Sequence, residues 1–226
     1  MDASREHQEP PGPQKLHRST MALPRLILVA DRFTDPDIAK RVLRAVQYGI
    51  EWVHFRDHAA TEDAFDFAAG ALISRINQFG SKTIVSINSR LSTAKSMGLP
   101  LHTGVHGPAV GEALGVLGPG TMVGQSVHST AEIEDARLGG ARYVIYGSVY
   151  PTRTHPNENA QGTERLAEAC EAAGSMPVIA MGGVTPDRVA ECLDAGAHGV
   201  AVVSAIIQAE DIFAAVGAFT KQISTD

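Results

Sequence analysis

Short apolar runs alternate along the chain with longer stretches in which apolar residues recur at helical spacing. The alternation repeats about every 20–30 residues, as in a series of βα units. Arg25–Asp31 (RLILVAD), Glu51–Arg56 (EWVHFR), Thr83–Asn88 (TIVSIN), Met122–Val127, Tyr143–Ser148, Pro177–Met181 and Gly199–Val203 read as strands, with a weaker one at Leu101–Thr103. PVIAM and GVAVV are apolar at nearly every position, which a parallel strand covered on both faces requires. Helices are expected from about Pro36, where Asp35 can cap, and from Thr61, whose T-E-D-A start sets acids at the positive helix end. Others end near Gly98, follow strand four weakly, begin near Ser129, follow the polar loop Tyr150–Gln161, follow Thr185-Pro186, and begin at about Ala209 after a short Ser-Ala-Ile turn. Eight strands and eight helices without a linker predict a single (β/α)8 TIM barrel over residues 23–226. A doubly wound sheet is the alternative, and eight regular units favour closure.

Composition narrows the class. The 226 residues suit one barrel, and 44% apolar with 19% charged is an ordinary soluble balance. A net charge of −6 without a basic stripe argues against nucleic acid. No apolar run approaches the roughly 18 residues of a membrane span. The opening MDASREHQEPPGPQKLHRST is polar and lacks the apolar core of a secretory signal, so residues 1–22 are expected to form a disordered tail. Met21 is a candidate native start. Cys170 and Cys192 fall in predicted outer helices and read as core fillers of a reduced, cytoplasmic chain.

The candidate chemistry gathers at strand ends. Met181-Gly182-Gly183-Val184 follows strand seven and Val203-Ser204-Ala205-Ile206 follows strand eight. In barrels these two loops, with a short extra helix, frequently bind phosphate. Glycine lets backbone N–H groups approach an oxyanion, and a helix start adds further amides. Gly182-Gly183 alone would read as a tight turn; paired with the small-residue turn after the next strand, Gly182, Gly183, Val203 and Ser204 become candidate phosphate ligands. His54 and Arg56 are two apart and share a face, with His58 just beyond. Asn88, Ser89 and Arg90 end strand three; His102 lies on strand four; Gln125, Ser126 and His128 end strand five; Ser148, Thr152, Thr154 and His155 follow strand six. Histidine titrates near neutrality and suits general acid–base work. There is no H-E-x-x-H, and Asp31 and Asp57 are the main strand-end acids, so no metal site is expected.

Four tracts in this order, Ser126-Val127-His128-Ser129, YGSVYPTRT from Tyr146, Ala180–Val184 (AMGGV) and Val202–Ile206 (VVSAI), resemble the thiamin phosphate synthase superfamily from about Leu26 to Phe219. The resemblance implies one of two activities. Synthases of the superfamily join a pyrimidine pyrophosphate to a thiazole phosphate with magnesium; the TenI-like branch aromatises a carboxythiazole phosphate without metal. The synthase pattern Q-L-R-[ED]-K is His54–His58 (HFRDH) here, I-N-D is Ile87-Asn88-Ser89, the last acid of V-H-L-G-Q-x-D is Gly107, and the lysine of P-T-x-T-K is His155. Both metal carboxylates and both lysines of the transferase are thus replaced. Departure of pyrophosphate needs metal or fixed cations, so the resemblance favours the thiazole tautomerase. It implies His128 as the acid–base residue, Arg56 and Asn88 orienting the carboxylate or ring, and Ser126 and Ser148 lining the pocket. His54, His102 and His155 are candidate second proton carriers. No cofactor is implied, magnesium entering only with the synthase alternative. The implied partner is a small phosphorylated thiazole, in a homo-oligomer because related barrels associate. A non-catalytic ligand-binding or regulatory paralogue is the remaining alternative.

Overall fold

The computed structural model describes residues 23–79, 82–104, 107–152 and 160–224. The expected tail, His155 and most of the loop after strand six lie outside them. The strands are β1 (Leu26–Asp31), β2 (Trp52–Arg56), β3 (Ile84–Asn88), β4 (Leu101–Thr103), β5 (Val123–Val127), β6 (Tyr143–Tyr146), β7 (Val178–Met181) and β8 (Gly199–Val202). All pair in parallel in chain order, and β8 returns to β1 through Leu26↔Val200, Ile27↔Ala201 and Leu28↔Val202, closing the barrel.

The helices are α1 (Pro36–Gln47), α2 (Glu62–Gln78), α3 (Leu91–Met97), α4 (Val110–Leu117), α5 (Thr130–Leu138), α6 (Gly162–Ala173), α7 (Val189–Asp194), α8 (Ser204–Ile207) and α9 (Ile212–Ile223). Their starts follow local chemistry. Asp35 accepts from the Asp37 amide at 2.8 Å with Pro36 in the first turn, and Thr61 accepts from Ala64 at 3.3 Å, each satisfying a donor the helix leaves unpaired. No described helix is long and apolar enough to cross a membrane.

Parity along the strands sorts two cores. Ile27, Val29, Trp52, Tyr143, Ile145, Ile179 and Ala201 pack together inside the barrel. The alternate positions, among them Leu28, Val53, Phe55, Ile87 and Val144, pack beneath the helices. Cys192 is buried and Cys170 half-buried, and neither is in a disulfide.

Three boundaries differ from the sequence pattern. The expected Ser-Ala-Ile turn is the helix α8, so nine α-helices rather than eight are present among the described residues, with a 3-10 turn at Pro186–Arg188 before α7. The last helix begins at Ile212, not near Ala209, because the Asp211 carboxylate accepts from Ala214 at 3.0 Å and sets the cap. Strand six stops at Tyr146 rather than Ser148. Beyond it the chain bends toward β7, and Val149 and Tyr150 donate instead to the carbonyls of Met181 and Gly182 at 2.9 and 3.0 Å.

Candidate active site

A cavity of about 570 Å³ opens at the carboxyl ends of the strands. Arg56, Asn88, Ser126, His128 and Ser148 all line it, and so do Gly182, Gly183, Val203 and Ser204. Residues predicted from six different strands or the loops that follow them therefore meet around one space. His54 and His102, also expected at the mouth, line no part of it. They lie beneath its floor, 3% and 2% exposed.

Two small-residue turns form one wall. Gly182 and Gly183 have φ of +97° and +64°, values that favour glycine. A Cβ on Gly182 would come within 2.7 Å of the Ser148 Cα, so the loops after β6 and β7 are stacked too closely for a side chain there. Among the described residues, the amides of Gly182, Gly183, Ser204 and Ala205 make no hydrogen bond to another protein group. Ala205 completes this set and was missed in the sequence, where only its neighbours stood out. Arg41 on α1 donates to the carbonyls of Ile207 and Ala209, tying down the far end of α8.

The opposite wall carries charge. Arg56 is ion-paired through Nε to Asp31 Oδ1 at 2.9 Å, which leaves the two terminal nitrogens of its fork uncommitted to that carboxylate. Arg90 serves the loop instead: it donates to the carbonyls of Asp57 and Ala60 and stacks over Phe65. His128 follows β5, with its side chain 43% exposed. Its amide donates to Glu132 Oε2 at 2.8 Å, and the same oxygen lies 3.4 Å from Nδ1. Glu132 is the acid of an S-x-x-E sequence at the α5 start, where Ser129 caps its amide. That pattern was legible, although the carboxylate reaches back one residue further than the usual box. Gln161 joins the ends of β5 and β6, donating to the carbonyls of His128 and Gly147 and accepting from the Tyr146 hydroxyl.

Under the floor lies a buried polar layer. His54 Nδ1 is 2.9 Å from Ser86 Oγ, which also accepts from Trp52 Nε1, and His54 Nε2 is 3.3 Å from Asn88 Oδ1. His102 bridges Tyr143 and Ser126 at 3.1 and 2.9 Å. Burial disfavours the charged imidazole. It pushes His54 down to about 4, with Asn88 opposing the shift and Arg56 and His58 adding to it. Burial, then the neighbouring His54 and Arg56, hold His102 well below its ordinary value. Ser86 and Tyr143 were not picked out from the sequence. Their inward parity was readable, but not that polar groups would meet there.

A magnesium ion would want several oxygen ligands. Asp57 turns away, accepting from Thr34 and from the amides of Ala59 and Ala60, while Asp31 holds Arg56. Ser89 Oγ caps the Gly104 amide at 3.0 Å and would sit 3.1 Å from a Cβ on Gly107. No cluster of three or more His, Cys, Asp or Glu suited to a metal exists among the described residues. The described donor set does not fit a carboxylate-held magnesium.

Known proteins supply an independent comparison. The bifunctional thiamine biosynthesis protein ThiED of Geobacter sulfurreducens is 34% identical over 189 residues, 82% of this chain but only 37% of that protein. The chain thus spans well under half the length of this bifunctional relative. The thiamine-phosphate synthase of Mycobacterium bovis is 31% identical over 87% of this chain and 93% of its own. The solved thiamine phosphate pyrophosphorylase of Pyrococcus furiosus superposes with a TM-score of 0.77 at 26% identity, covering 88% of this chain and 95% of that one. The family model described as thiamine monophosphate synthase matches residues 26–206, from the first strand to the helix after the last, and the chain belongs to that family.

Proposed function

We propose that this protein binds a phosphorylated thiazole and moves a proton on it, as a thiazole tautomerase. The observation that carries the reading is the composition of the cavity wall: unpaired amides and His128 share a space in which the described residues offer no carboxylate set for magnesium. The amides of Gly182, Gly183, Val203, Ser204 and Ala205 hold the phosphate. Arg56 and Asn88 orient the ring carboxylate, since an arginine fork pairs both oxygens of a carboxylate. Ser126 and Ser148 complete the pocket.

His128 then acts as base and acid in turn. It takes the proton from the ring carbon that bears the carboxylate and delivers one to the exocyclic carbon. The ring gains aromaticity, so the reaction runs downhill and needs no metal. Glu132, 3.4 Å from Nδ1, orients the imidazole. Positioned acid–base help of this kind contributes about 10²–10⁴-fold in rate.

The names of the relatives favour a second reading. They are called thiamine-phosphate synthase or pyrophosphorylase, and this supports pyrophosphate transfer better than isomerisation. One pair of assays separates the two. The unaromatised carboxythiazole phosphate, followed by NMR in D₂O, should aromatise faster with the protein than in buffer, equally well in a chelator. His128→Asn should lower that rate by about 10²–10⁴-fold. No acceleration, together with thiamin phosphate formation from the pyrimidine pyrophosphate, thiazole phosphate and magnesium, would overturn the tautomerase in favour of the synthase.

A further inference from the structure

We infer that His102 is a positioning residue which, together with Tyr143, makes the Ser126 hydroxyl a hydrogen-bond donor aimed at the ligand. The relay is assigned from the contacts and burial of His102 and Tyr143; only the identity of the ligand rests on the function proposed above. His102 looks at first like the base of a Ser–His pair, because Nε2 lies 2.9 Å from Ser126 Oγ. In an activated serine the imidazole accepts the hydroxyl proton. Here the partner on the other nitrogen dictates the reverse.

Tyr143 is fully buried on β6, and its ring stacks on His102 with centroids 5.4 Å apart. Gly124 makes room for that ring: a Cβ there would lie 2.2 Å from the Tyr143 Cζ. Burial raises the phenol pKa, so the hydroxyl keeps its hydrogen. The hydroxyl lies 3.1 Å from His102 Nδ1, and because a phenol O–H is a stronger donor than a neutral imidazole N–H and an imidazole nitrogen the better acceptor, the phenol hydrogen goes to that nitrogen. A neutral imidazole has one donor and one acceptor nitrogen. With Nδ1 accepting, Nε2 carries the hydrogen and donates it to Ser126 Oγ. The hydrogen of Ser126 is then free to point into the cavity that Ser126 lines. A phosphate oxygen, carboxylate or ring nitrogen is the acceptor it suits. His102 itself touches no cavity surface, so it neither receives nor delivers the substrate proton.

The test begins with the ligand-free protein, which keeps it separate from any assay of the reaction. Nitrogen-15 NMR of labelled histidine should find His102 neutral with its hydrogen on Nε2 from about pH 6 to about pH 8, across the range where an ordinary histidine titrates. Tyr143→Phe should abolish the preference for that tautomer, an effect that loss of packing alone would not give. Binding of the aromatic thiazole phosphate, measured by calorimetry, should weaken about tenfold in Tyr143→Phe and in Ser126→Ala, the scale of one hydrogen bond. Ser126→Ala keeps the floor readable if Tyr143→Phe does not fold. A hydrogen on Nδ1, titration of His102 in this range, or unchanged binding by Ser126→Ala would overturn the relay. A failed tautomerase assay with the tautomer as stated would strike only the proposed reaction.

Discussion

At the scale of the residue, Arg56 shows what a side chain's second partner decides. Asp31 holds its Nε at 2.9 Å, so the charge is already balanced and the rest of the fork remains for a ligand. Arg56→Lys keeps the charge but loses the planar fork. We expect it to weaken binding of a carboxylated thiazole phosphate about tenfold, while binding of the decarboxylated analogue changes much less, because a bidentate pair depends on both oxygens. Calorimetric titration of both ligands checks this; equal losses for the two would remove Arg56 from the carboxylate. The alternation of β2 gave the shared face of His54 and Arg56, but it carries no depth. One of them reaches the cavity and the other lies buried one pleat lower. His102 was misplaced for the same reason. Arg90 illustrates a further limit, since its partners on the Asp57–Ala60 loop are set by tertiary packing about 30 residues away in sequence.

At the scale of the element, the strands were readable because a covered parallel strand is apolar throughout, and the capped helix starts because their donors sit beside them in sequence. What escaped were features set by contacts between loops. The bend that ends β6 at Tyr146 comes from hydrogen bonds to the turn after β7, which no local pattern encodes. Gly182 belongs to that contact and gives a contrast within one protein. Gly182→Ala meets both a strained φ and the Ser148 backbone, so it should cost about 1–3 kcal/mol and weaken phosphate affinity. Gly70, inside α2, has open space where its Cβ would go; Gly70→Ala should stabilise the protein by about 0.5–1 kcal/mol through helix propensity. Urea denaturation of the two variants, with a phosphate titration of each, reads the difference. If Gly182→Ala is as stable and binds as well as Gly70→Ala, the two loops are not locked as described.

At the scale of the whole molecule, the barrel carries two neutral histidines in its interior, and this couples global stability to pH. The native state holds His54 at about 4 against an ordinary 6.5, and His102 is depressed in the same direction. The unfolded chain therefore binds more protons than the native one between those values. Stability rises with pH wherever the unfolded state holds the extra protons. The contribution is thus fully present above about pH 6.5 and is lost as pH falls toward 4, where the native imidazole protonates as well. From pH 7 to pH 5 the loss from His54 alone should be about 2 kcal/mol, with His102 adding to it. Urea melts at the two pH values, on the wild type and on His54→Gln, measure it directly. Glutamine keeps a polar side chain without a titrating group, so the variant should lose less stability on acidification even if it is less stable at pH 7. Parallel pH curves for the two proteins would mean that the interior layer does not stay uncharged. The same measurement reaches the site, because Asn88 and Ser126, which line the cavity, are hydrogen-bonded to these two imidazoles.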